Sequence, residues 1–157
     1  PVLGGESKGF QIYTKPYLNQ EVKKYFEDAR KAQYPAVIIQ KFMNNFSTKK
    51  NPEIRTIWSG KNLIYTAHTH KWGEPIKLTK KINPKIKTLG LKTIKELEKD
   101  FNTKITTIRI DFGKTTKGDF FINELEHAYG TFAEINKNIS KSLPNKIAHT
   151  FAKNNKL

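Results

Sequence analysis

Apolar and polar positions recur with two different periods along this chain, and the periods divide it into short elements. Asn19 suits a helix N-cap, and Val22, Tyr25, Phe26 and Ala29 follow at helical spacing to about Ala32. Pro35 closes that helix. The run over residues 36–42 is apolar and β-branched, as in a strand buried on both faces. A polar loop covers 44–52. Residues 53–58 and 62–68 then read as two strands joined by Ser59, Gly60 and Lys61, a short glycine-containing turn that predicts a hairpin. Residues 70–87 are basic and contain Pro75 and Pro84, which predicts an irregular stretch. Leu91, Ile94, Leu97 and Phe101 form a helical stripe. Strands are predicted at 105–112 and 120–125 with a turn over 113–118, and 131–156 reads as helical with a break near Pro144. Ahead of all these, residues 4–9 form a glycine-rich turn leading into a strand over 10–13. The order β-α-β, hairpin, helix, hairpin and helical tail predicts an α+β fold of mainly antiparallel sheets with packed helices.

Composition narrows the class. A chain of 157 residues with ten Phe and six Tyr can bury one core or two small lobes. No apolar run approaches the roughly 20 residues that span a bilayer, and residues 1–10 lack a secretory pattern. No membrane partner is expected, and a cytoplasmic setting is the default. The absence of cysteine excludes disulfides, thiolate chemistry, Fe–S clusters and Cys-ligated zinc. A start at Pro1 without Met reads as a processed chain or an excised domain. The formal charge of +15, from 29 Lys+Arg against 14 Asp+Glu, implies attraction to polyanions: nucleic acid, nucleotides or acidic polypeptides. A Lys/Asn/Ile-rich composition can also carry such charge as a solvated surface with no partner.

Three features carry candidate chemistry. In residues 4–9, Gly4, Gly5 and Gly9 let backbone N–H groups approach phosphate oxygens, with Ser7 and the charge of Lys8 beside them. The same loop also reads as a plain hairpin turn, since its spacing is neither a P-loop nor a dinucleotide fingerprint. Asp111, Glu124 and Glu126 fall at the ends of two adjacent predicted strands. Glu124 and Glu126 share a strand face, and hairpin pairing would set Asp111 beside them. Clustered carboxylates repel unless a cation separates them, and hard oxygen ligands suit Mg²⁺; pairing with the many lysines is the other reading. Arg55, one of three arginines, alternates with Ile54 and Ile57. Its fork suits a phosphate or carboxylate, or a surface ion pair. His68 and His70 could share a strand face, but without cysteine a structural zinc site is not expected.

Taken in order, five segments resemble the ATP-grasp superfamily, and within it the branch that contains the ribosomal-protein glutamate ligases and related peptide ligases. They are the loop at 4–9, the run Val37-Ile38-Ile39-Gln40-Lys41-Phe42, Glu53-Ile54-Arg55, Arg109-Ile110-Asp111-Phe112, and Ile122-Asn123-Glu124-Leu125-Glu126 followed by Gly130. The resemblance covers about residues 1–130. It implies an ATP-grasp-like fold with a nucleotide cleft between two lobes: a smaller one over 1–45 (glycine-rich loop, helix, hinge strand) and a larger one over 46–157 with acidic metal-binding strands and a helical tail. Gly4, Gly5, Ser7, Lys8 and Gly9 would then close over the phosphates of ATP. Gln40, Lys41 and Phe42 would meet adenine, with Ile122 against the ring. Asp111 and Glu124 would hold Mg²⁺, joined by Glu126, which stands where the family's Glu-x-Asn pattern has Asn. Arg55 would steady the transferred phosphate.

The implied activity is an ATP- and Mg-dependent carboxylate–amine ligase that forms a peptide bond through an acyl-phosphate. Its carboxylate substrate is expected to be an acidic peptide or protein, in keeping with the basic chain. The family's phosphate-binding lysines and preceding domain would lie ahead of Pro1, so an N-terminal domain is expected beyond this chain. Two alternatives are a basic nucleic-acid-binding module and a catalytically degenerate ATP-grasp domain serving as an interaction platform.

Overall fold

The computed structural model describes residues 20–37, 39, 43, 46–69, 77–78, 81–126, 145–150 and 152–153. The chain divides into two compact units, residues 1–43 and 44–157.

In the first unit, helix α1 (Gln20–Lys31) forms where the spacing predicts it. Glu21 in its first turn and Arg30 and Lys31 in its last complement the helix dipole. Val22 and Ala29 are buried. The helix closes at Gln33, whose φ of 58° is left-handed, while Tyr34 N donates to Ala29 O at 3.1 Å. The strand expected over 36–42 is not seen at its described positions: Ala36, Val37 and Ile39 lie outside any strand, and Ile39 is 80% exposed. An apolar, β-branched run does not by itself supply a partner edge. Residues 38 and 40–42 lie outside the described residues, as do the glycine-rich loop and the strand expected at 10–13.

The second unit is built on a five-stranded antiparallel sheet of order β3-β2-β1-β4-β5. Its strands are β1 (Glu53–Ser59), β2 (Asn62–Thr69), β3 (Lys77–Leu78), β4 (Thr107–Lys114) and β5 (Phe120–Glu126). The β1–β2 hairpin turns at Gly60, with φ 53°, and the β4–β5 hairpin at Gly118, with φ 91°. Helix α2 (Pro84–Asp100) carries the core face opposite the sheet. Trp58, Ile86, Ile94, Ile108, Ile110 and Phe112 form the buried cluster, with Ile54, Leu89, Leu97 and Ile122 packed around it. Thr56 ties the sheet to this core: its hydroxyl donates to Ile110 O at 2.8 Å and accepts from Trp58 Nε1 at 2.7 Å.

Several expected boundaries move. Residues 70–87 are not wholly irregular, because they contain β3 and the start of α2. Asn83 caps that helix, its side chain accepting from Lys85 N at 3.0 Å, with Pro84 in the first helical turn. Phe101, expected on the buried stripe, is the C-cap and is 69% exposed. β4 runs through Gly113 and Lys114 where a turn was expected, because Gly113 gives its Cβ space to the Phe121 ring on β5. Of the tail, residues 145–150 and 152–153 are helical. The architecture is α+β with an antiparallel sheet. Among the described residues, no helix is long and apolar enough to cross a membrane.

Candidate functional site

Strand periodicity sends Ile54, Thr56 and Trp58 of β1, and Ile108, Ile110 and Phe112 of β4, toward the helix-side core. The intervening positions therefore share the other face. Antiparallel register lines them up in two rows. The first is Ala67–Arg55–Asp111–Glu124, and the second is Tyr65–Ile57–Arg109–Glu126. Arg55, Asp111 and Glu124, three positions singled out in the sequence, thus lie side by side on three neighbouring strands. Glu126 lies in the adjacent row.

A shift of register between Asp111 and Phe112 shapes the β5 end of the site. Asp111 opposes Glu124 while Phe112 opposes Ile122, which leaves Asn123 as the extra residue of a bulge. The bulge lets Ile122 pack on the helix-side core although Glu124, two residues on, belongs to the charged face. Ile122 is therefore not brought to Arg55, Asp111 or Glu124. Asn123 reaches across to β1, its Nδ2 donating to Glu53 Oε1 at 2.9 Å.

Two residues given no role in the sequence reading dominate the geometry. Arg109 Nε donates to Asp111 Oδ1 at 3.0 Å and Oδ2 at 3.1 Å, and Nη2 lies 2.9 Å from Oδ2. The same guanidinium reaches Glu124 Oε2 at 3.4 Å and Glu126 Oε2 at 2.8 Å. That last contact is an ion pair without hydrogen-bond alignment, since Glu126 Oε2 is buried and accepts no hydrogen bond. Glu53, itself buried, accepts from Arg55 Nε at 3.0 Å, and Arg55 Nε stands 3.6 Å from Asp111 Oδ2. The signal for both was present in the sequence as Glu53-Ile54-Arg55 and Arg109-Ile110-Asp111. An acid and an arginine two residues apart on a strand share a face.

Asp111 is fully buried. Burial raises its carboxyl from 3.8 to about 7; Arg109 and Arg55 pull it down and Glu53 pushes it up, and desolvation outweighs the arginines. Tyr65, in the second row, has its phenol pushed up by burial, and its hydroxyl has no hydrogen-bond partner.

Four carboxylates (Glu53, Asp111, Glu124, Glu126) face two guanidinium groups, so the site is locally anionic in a chain of charge +15. Their hard oxygens suit Mg²⁺. Among the described residues no three His, Asp or Glu side chains are already arranged around a metal-sized gap, and Arg109 stands between Asp111, Glu124 and Glu126. Gly4, Gly5, Ser7, Lys8, Gly9, Gln40, Lys41 and Phe42 lie outside the described residues. Compared with known proteins, the chain matches no protein-family model and no curated sequence.

Proposed function

We propose that this chain is the ATP-grasp part of an ATP- and Mg-dependent carboxylate–amine ligase that acts through an acyl-phosphate on an acidic peptide or protein. The observation that supports it is the three-strand row Arg55–Asp111–Glu124. The resemblance assigns these positions to phosphate and metal, and the sheet register, which owes nothing to that resemblance, sets them side by side.

In this reading Asp111 and Glu124 would hold Mg²⁺ with Glu126 beside them, and the ion would supply positive charge against that of the triphosphate. Arg55 presents its fork to the phosphoryl group in transfer. Arg109 keeps the carboxylates together before the nucleotide arrives and limits their repulsion. A carboxylate oxygen of the substrate bonds to the γ-phosphorus as the bond to ADP breaks. The amine nitrogen then bonds to the acyl carbon, phosphate leaves, and the amine loses a proton.

Calorimetric titration of ATP into the full chain, with and without Mg²⁺, tests this reading. Mg²⁺-dependent binding is expected, weakened at least tenfold in the Asp111→Asn/Glu124→Gln double variant while its circular dichroism stays unchanged. Binding indifferent to both Mg²⁺ and the double substitution would remove the metal assignment. No binding of ATP under either condition would remove the nucleotide reading altogether.

A further inference from the structure

The outer face of α2 carries charge that the proposed ATP site does not use. Ile86, Gly90 and Ile94 bury one side of this helix. At 100° per residue, Lys85, Lys92, Lys95 and Lys99 fall within an arc of about 80° on another side, and all four are exposed. None of them has a salt bridge among the described residues. Lys92 and Lys95 are three apart, and Lys95 and Lys99 four apart, so like charges sit as neighbours on the helix surface and oppose its formation. The helix has no acid in its first turn, where one would favour the dipole. Of its three acids, Glu98 is turned away, accepting from Ile105 N at 3.2 Å and lying 3.9 Å from Lys104. Glu96 and Asp100 are exposed on the flank of the stripe, Glu96 four residues after Lys92 and three before Lys99, so the four lysines outnumber the acids beside them.

We propose that this lysine stripe docks the phosphate backbone of a polynucleotide without reading its bases. The first and last lysines are separated by about 21 Å of helix rise, the axial length of about six base steps. The stripe carries no aromatic side chain for base stacking, and Thr88 is its only other member. An acidic peptide would need pockets or backbone hydrogen-bond partners to be held in register, and a solvent-facing helical surface offers neither. A regular line of phosphates needs only cations in a row. The stripe lies on the helix side of the sheet, and the proposal stands apart from the ATP reading.

Fluorescence anisotropy of a labelled 20-base-pair duplex, titrated with the full chain without ATP or Mg²⁺ between 50 and 200 mM KCl, tests it. Four phosphate contacts contribute a slope of about −3.6 in log K against log salt, which is roughly a 100-fold loss across that range. Replacing Lys85, Lys92, Lys95 and Lys99 by Gln is expected to remove most of that slope. Replacing the exposed Lys49, Lys50, Lys61 and Lys117 by Gln removes equal charge and is expected to change it by less than one. Equal losses from the two quadruple variants would show a net-charge effect and overturn the proposal. So would absence of duplex binding, or displacement of the duplex by polyglutamate at lower charge concentration than by unlabelled duplex.

Discussion

Asp111 is in contact with arginine and is nevertheless hard to ionise. Its carboxyl, raised to about 7, shows that taking the charge fully out of water costs more than Arg109 and Arg55 return. The sign of the stability effect follows. Between pH 4 and 7 the folded chain holds a proton at Asp111 that the unfolded chain has released, so this group lowers stability as pH rises through that window. The penalty is complete above about pH 7 and relieved on the acid side. Asp111→Asn, which removes the ionisation, is therefore expected to raise stability at pH 8 by roughly 1–3 kcal/mol, with the gain fading toward pH 4. Urea unfolding at the two pH values checks it, and a gain that did not depend on pH would contradict the burial argument. The clustering of Asp111, Glu124 and Glu126 was legible in the sequence, since strand periodicity and a hairpin suffice to bring them near. The place of Arg109 among them was not, because only strand register shows which of several cations meets a given carboxylate.

At the scale of elements, two close approaches decide how the helix and strands fit. Gly90 on α2 lies against the Trp58 ring, where an added Cβ would come within 2.5 Å of Cζ2. The indole cannot step aside, being fully buried and held through Nε1 to Thr56. Gly90→Ala gains about 1 kcal/mol of helix propensity and loses about 1–3 kcal/mol to overpacking. A net destabilisation of about 1 kcal/mol is expected, read as a lower urea midpoint with an unchanged slope. Gly113 gives way to the Phe121 ring across the β4–β5 pair in the same manner. The helical stripe of Leu91, Ile94 and Leu97 was visible in the sequence, but the first turns of α2 were hidden inside a lysine-rich stretch whose only clear signal is Asn83 followed by Pro84. The bulge at Asn123 had no signal, because nothing local distinguishes a bulged residue from a paired one.

For the whole molecule, the charge of +15 is unevenly spent: an anionic patch on one face of the sheet and a lysine stripe on the outer face of α2. Net self-repulsion of this size disfavours the compact state and is screened by salt. Raising KCl from 20 to 200 mM is expected to raise the melting temperature by a few degrees, measured by circular dichroism. A falling melting temperature would mean that the internal ion pairs outweigh the repulsion. The sequence by itself determined the α+β class, the two hairpins of the larger unit, helix α1 and the nearness of the acidic residues. These depend on periodicity and turn chemistry, which are local. Only the tertiary structure decided that Arg55, Asp111 and Glu124 form one row, that Arg109 stands among the carboxylates, and that Ile122 turns to the core. Register and desolvation are set by the strands and helix around each residue, and no stretch of sequence carries them alone.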